Sequence, residues 1–167
     1  PQQSSSAASD VYKRQGLLLS RHIRLVGAFN HLHIFIDPNP DAAISFAERE
    51  RLFQMPRSTW EDYDPTLISE GGGVWPRDIK SIDLSEAAQN ALGISTKTLS
   101  PDELIHEMLK SPVDLLFNGG IGTYIKASTE THESVGDRVN DLVRADASKL
   151  RCRVIGEGGN LGLTQLA

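Results

Sequence analysis

The stretch PVDLLFNGG, residues 112–120, and the stretch CRVIGEGGN, residues 152–160, repeat one pattern: a short apolar run drops at once into glycine and small polar side chains. A brief apolar run without alternation fits a strand buried on both faces, as in a parallel sheet. Glycine directly after such a strand lets the backbone approach a ligand closely. In an open parallel sheet every strand delivers its carboxyl end to one edge, and ligands sit in the crevice there.

Reading outward, HLHIFID (31–37) is a dense β-forming run closed by Asp37-Pro38-Asn39-Pro40, which predicts a third buried strand. Ahead of it, GLLLSRHIRLVGAF (16–29) carries Leu18, Ile23, Leu25, Val26 and Phe29 near helical spacing, which predicts a helix. Pro40 and Asp41 open a second helix over DAAISFAERERLF, where Ala43, Phe46, Ala47, Glu50 and Phe53 suit one face. Ser85 caps a short helix that Gly93 ends. Ser100, Pro101 and Glu103 form a capping-box start before LIHEMLK, and Val135 to Arg144 reads as a polar helix. Met55 to Ser81 is too long for a simple connection and is expected to serve a ligand or a neighbouring domain. The order helix, strand, helix, helix, strand, helix, strand predicts an α/β layer with parallel strands.

The totals narrow the function. The 167 residues suit one domain, and 17 Lys plus Arg against 22 Asp plus Glu give a net charge of −5. With no basic stripe, nucleic acid is not an expected partner. No apolar stretch reaches the ~20 residues that span a bilayer, so no membrane role is expected. The single Cys152 excludes an internal disulfide, fits a reducing cytoplasm, and reads as an inert thiol inside a strand. Residues 1–15, PQQSSSAASDVYKRQ, have the composition of a disordered or non-native leader.

Three strand ends then attract attention: Asp37, Asn118-Gly119-Gly120 and Glu157-Gly158-Gly159-Asn160. Asp37 follows Gly16 by about twenty residues, the spacing at which a dinucleotide fold places an acid on the adenosine ribose diol. A carboxylate there favours NAD over NADP, because a 2′-phosphate at ~4 Å meets repulsion of about 4 kcal/mol at an effective dielectric near 20. The plainer reading is an Asp that starts a turn with Pro38. Asn118-Gly119 likewise has a tight-turn reading beside the functional one. His31 and His33 share a strand face, but without a third ligand they read as packed or surface histidines. Gly71-Gly72-Gly73 lacks the Lys-Ser/Thr of a phosphate loop and reads as a flexible surface turn.

The wording of longer phrases adds a family. LLLSRHIRLVGAFNHLHIFIDPNPD, SFAERERLFQMPRSTWEDYD, LISEGGGVWPR, PVDLLFNGGIGTYIKAS and RVIGEGGNLGLTQ closely resemble the NAD-specific glutamate dehydrogenases of the very large bacterial type, over nearly everything from Gly16 to the end. The resemblance implies a Rossmann-like, doubly wound α/β sheet, truncated before Leu17, with its first strand and glycine-rich turn missing. Residues 16–167 would then be part of an NAD-binding domain. It implies an enzyme that oxidises L-glutamate to 2-oxoglutarate and ammonia with NAD, in the cytoplasm and as a homo-oligomer. Smaller relatives end the corresponding strand in Glu-Gly-Ala-Asn with a threonine four residues on. Here Glu157, Gly158, Asn160 and Thr164 match and Gly159 replaces the alanine. The implied cofactor set is therefore Gly16, Asp37, Asn118, Gly119, Gly120, Glu157, Gly158, Asn160 and Thr164, with Asn160 toward the nicotinamide ribose. The family's catalytic lysine and acid belong to a substrate domain further upstream. Lys126 and Lys149 do not correspond to them, so the chain by itself is expected to be inactive. Another amino-acid dehydrogenase, or a non-catalytic nucleotide-sensing module using Met55 to Ser81 as its contact surface, are the competing readings.

Overall fold

The structure, a computed structural model, describes residues 19–159 and 161–167. The chain divides into two compact units, one within Leu17–Met108 and one within Leu109–Ala167.

In the first unit a three-stranded antiparallel sheet is built from β1 (Gly27–Phe29), β2 (His33–Ile36) and β3 (Gly73–Pro76), with β2 in the middle. β2 is buried along its whole length, as its sequence predicts. Its pairing differs from expectation: both neighbours run antiparallel to it. For β1 the cause lies in Asn30, whose side-chain oxygen accepts the N–H groups of Leu32 and His33, both at 2.8 Å. That local bond closes a tight hairpin, and so short a link cannot make the crossover that parallel strands need. The helix expected over 16–29 is not found in its described part. Residues 19–26 are irregular and β1 follows. Gly27 explains part of this, since a Cβ there would lie 2.8 Å from Met108 Cε.

Helix α1 (Ala42–Gln54) forms where expected, with the Asp41 side chain accepting from the Ala43 and Ile44 N–H groups at 2.9 Å. Its buried Arg49 reaches back to the carbonyls of Ser20 and Ile23, both at 3.1 Å, and so ties down the segment ahead of β1. The long connection after α1 folds over the sheet. Trp60 stacks on Phe35 at 5.0 Å between ring centroids, and Tyr63 packs on the same ring at 4.8 Å. Leu25, Ala28, Ile68 and Val74 complete this cluster around Phe35, Leu52 and Tyr63. The triple glycine is not a flexible surface turn. Gly71 has φ +84°, a Cβ on Gly72 would sit 2.5 Å from the Ile36 carbonyl, and Gly73 opens β3. Only glycine fits so close a backbone crossing.

β4 (Ile82–Asp83) pairs with β5 (Thr98–Leu99), and between them α2 (Glu86–Leu92) is capped by Ser85 and ended by Gly93 at φ +64°. α3 (Pro101–Leu109) starts on the expected box: Glu103 accepts the Ser100 N–H at 2.8 Å while Ser100 Oγ receives the Glu103 N–H at 3.4 Å.

The second unit holds β6 (Leu115–Asn118), β7 (Ile125–Lys126), α4 (His132–Val135), β8 (Ala145–Asp146) and β9 (Val154–Glu157). β6 pairs with β9 and β7 with β8, and both pairs are parallel. The expected strands are thus present and parallel, but not buried on both faces: Leu115, Val154 and Ile155 are exposed. Cys152 precedes β9 rather than lying within it, half-buried, and burial pushes its thiol pKa up. The helix expected over Val135–Arg144 is instead the end of α4, closed by Gly136 at φ +75°, followed by a 3-10 turn at Arg138–Asn140. The described chain is therefore a mixed helix and strand structure with small sheets, two of them parallel.

Candidate functional site

The register of β6 and β9 sets the site. Leu115 stands opposite Val154 and Asn118 opposite Glu157, so both strands end at one level. Beyond that level the two glycine turns pack on each other. The N–H groups of Gly158 and Gly159 donate to the Asn118 carbonyl at 2.8 and 3.2 Å. A Cβ on Gly159 would lie 2.3 Å from the Gly120 carbonyl oxygen, whereas one on Gly120 would meet nothing within 4 Å. Gly159 is thus required by packing, and Gly120 lines open space.

Asn118 Nδ2 is buried and has no hydrogen-bond partner among the described residues. Gly162 comes onto this amide so closely that a Cβ would be 1.5 Å from the nitrogen. The carboxylate of Glu157, itself an exposed residue, accepts the Gly162 N–H. Leu161 takes a left-handed conformation at φ +59°, sparsely populated for a branched side chain, and Thr123 Oγ1 donates to its carbonyl at 2.7 Å.

Further supports run through β7 and β8. The Gly162 carbonyl accepts from the Tyr124 and Ile125 N–H groups at 2.8 and 3.1 Å, and the Thr164 N–H donates to the Ile125 carbonyl at 3.0 Å. The Thr164 hydroxyl donates to Glu130, which also receives the Ala127 N–H at 2.8 Å. Lys126 is buried and paired with Asp146. Arg144, buried, donates from Nε to the Thr123 carbonyl at 2.8 Å and from a terminal nitrogen to Asp141 at 2.6 Å. Asp137 receives the Thr123 N–H at 2.8 Å and the Asn140 amide at 2.7 Å. Burial works against its charge, but those two bonds and the Arg144 guanidinium outweigh it and hold its carboxyl below the ordinary range.

Of the residues read from sequence, Asn118, Gly119, Gly120, Glu157, Gly158 and Thr164 belong to this second unit. Asp37 belongs to the first. It is 2% exposed, and one carboxylate oxygen accepts both the Ser69 hydroxyl and the Ser69 N–H, the latter at 3.2 Å. Gly16 and Asn160 lie outside the described residues. Sequence reasoning passed over Ser69, Thr123, Glu130 and Gly162. Gly162 alone carried a signal, as a further glycine two residues past the amide of the EGGN phrase.

A separate cleft of about 320 Å³ opens in the first unit, lined by His33, Glu61, Tyr63, Pro65, Val74 and Pro76. His33 Nε2 lies 3.6 Å from the Glu61 carboxylate. His31 is exposed while His33 is buried, and no metal-binding group of three His, Cys, Asp or Glu side chains occurs among the described residues.

Paired parallel strand ends, close-packed glycine turns and an amide donor without a partner among the described residues come together in this unit of a mixed helix and strand protein. The chain belongs to the bacterial NAD-glutamate dehydrogenase catalytic-domain family, whose sequence model matches residues 5–167. It is 63% identical over 158 residues to an NAD-specific glutamate dehydrogenase of Halomonas elongata, which covers 95% of this chain and 10% of that relative. The NAD-specific glutamate dehydrogenase of Pseudomonas aeruginosa is 59% identical over 160 residues, 96% of this chain, and that of Mycobacterium tuberculosis is 59% identical over 165 residues, 95% of it. The chain spans 10% of the length of each of these curated relatives.

Proposed function

We propose that this chain supplies cofactor-binding structure to an NAD-dependent glutamate dehydrogenase that converts L-glutamate to 2-oxoglutarate and ammonia. The observation that carries the reading is the common level of Asn118 and Glu157 at the ends of a parallel pair, with the Gly120 side open. Asn118, Gly119, Gly120, Gly158 and Thr164 would form the rim against the dinucleotide, and the family resemblance is what adds Gly16, Asn160 and, for the adenosine ribose, Asp37. The orphaned Asn118 amide supports this assignment, because a buried donor without a partner calls for an explanation and an acceptor outside the chain is one.

NAD, when bound, accepts the hydride from the substrate α-carbon. The task of the residues here is placement, and orientation alone supplies several kcal/mol of such a barrier. Catalytic acid and base chemistry belongs to residues outside this chain in this reading, so the chain alone is inactive. Lys126, held by Asp146, has its ammonium occupied by that pair.

The fold reading goes further in the same direction. The β6–β9 pair would be part of a Rossmann-like doubly wound sheet, and its support is the parallel pairing with apolar Leu115, Val154 and Ile155 uncovered. Residues 16–167 would belong to the NAD-binding domain. A cytoplasmic homo-oligomer is the expected assembly, and no helix among the described residues is long and apolar enough to cross a membrane. The sensing-module alternative loses its main support, since Trp60, Tyr63, Ile68 and Val74 of the long connection pack into their own core.

Gly120→Val in the complete enzyme tests the reading. Nothing lies within 4 Å of the added Cβ, so the fold should hold while the cofactor is obstructed. The expected result is a Kd for NADH, read by fluorescence titration, raised at least about tenfold, some 1.4 kcal/mol, at unchanged Tm. An unaltered Kd would remove the cofactor from this rim.

A further inference from the structure

Glu157 and Thr123 act on the two ends of one peptide group. The carbonyl between Leu161 and Gly162 receives the Thr123 hydroxyl at 2.7 Å, and the N–H of the same group is accepted by the Glu157 carboxylate. That peptide follows a Leu161 backbone at φ +59°, a conformation that a branched side chain leaves readily unless its surroundings hold it. Packing of the Leu161 side chain does not hold it, since that side chain is 57% exposed. Thr123 is itself held, buried, with its N–H on Asp137 and its carbonyl on Arg144. Glu157 stands at the last position of β9, opposite Asn118. If the peptide flipped, its carbonyl would face the acceptor-only Glu157 carboxylate, whereas the Thr123 hydroxyl can accept as well as donate, so Glu157 selects the orientation and Thr123 secures it.

We propose that Glu157 and Thr123 are positioning residues that fix the Leu161–Gly162 peptide, and with it the glycine turn against Asn118, and that Glu157 makes no contact with the cofactor. This rests on the cofactor reading above and changes one part of it, since the family resemblance places Glu157 among the binding residues. Gly162 is the hinge of the arrangement: it has no room for a side chain over the Asn118 amide, so the turn has one seat. The carboxylate matters here as an acceptor at a given reach, and its charge does not.

Two substitutions in the complete enzyme separate reach from charge. Glu157→Gln keeps an acceptor oxygen at the same distance without the charge, and Glu157→Asp keeps the charge but withdraws the acceptor by one methylene. Kd for NADH, KM for NAD, kcat and the Tm of the cofactor-free enzyme are measured for both and for Thr123→Val, which removes the hydroxyl at constant shape. The expected result is that Glu157→Asp and Thr123→Val raise Kd and KM at least about tenfold with kcat changed less than about threefold, while Glu157→Gln restores binding to within about threefold of the parent. The reverse order of the two Glu157 variants, equal loss in both, or no loss in Glu157→Asp overturns the proposal. If Gly120→Val weakens NADH and Glu157→Asp does not, the positioning role fails alone; if Gly120→Val has no effect, the cofactor reading fails first.

Discussion

Asp37 shows how one side chain can answer two descriptions. Its carboxylate is nearly buried and holds Ser69 through a hydroxyl and an N–H, which is the turn role that the Asp-Pro step predicts. The ribose role proposed for it uses the same group as a fixed acceptor. Asp37→Ser in the complete enzyme is expected to raise KM for NAD about tenfold and to relax discrimination against NADP, as the repulsion of a 2′-phosphate is withdrawn. Steady-state assays with both cofactors check this, and unchanged selectivity would leave Asp37 with the turn alone. At this scale the turn role of Asp37 was readable from the Asp-Pro step, and the place of Asn118 at a strand end from the apolar run before it. Ser69, Thr123 and Glu130 were not readable, because each works through a partner dozens of residues away along the chain.

Elements were legible where their ends are written locally. Asp41, Ser85, Gly93 and the Ser100-Glu103 box all cap as read. The misread helix over 16–29 has an apolar stripe that serves equally for a packed loop and strand, and the deciding signal, Asn30, was overlooked. The segment after α4 was misread for a related reason: Arg144 and Asp137 draw it into a 3-10 turn around Thr123, a tertiary demand that outranks propensity. Asp137 carries a pH signature. Its folded pKa lies below the ordinary value, so its stabilisation is complete above the unfolded carboxylate pKa and is lost as pH falls through the lower, folded one. Asp137→Asn should lower stability by roughly 1–3 kcal/mol at neutral pH and flatten the acid limb. Thermal melts from neutral to acid pH would show it, and an unchanged limb would assign acid sensitivity elsewhere.

For the molecule as a whole, family membership fixes more than the architecture does. Long phrases shared with relatives identify the chain, while the parallel order expected for HLHIFID gave way to an antiparallel sheet. Pairing partners depend on what the rest of the polypeptide offers, and periodicity does not encode that. The chain alone, with Leu115, Val154 and Ile155 uncovered, should unfold in urea over a broad range with a low m-value for its 167 residues. Circular dichroism across a urea series measures this, and one steep, reversible transition would show a self-sufficient domain.

The Asn30 hairpin has a kinetic meaning as well. Phe29 and Ile34 meet across a handful of residues, whereas Asn118 and Glu157 must be gathered from more than thirty residues apart. Closing the second loop costs about 2 kcal/mol more chain entropy than closing the first. The hairpin is therefore early scaffolding, and the paired rim of β6 and β9 comes together late.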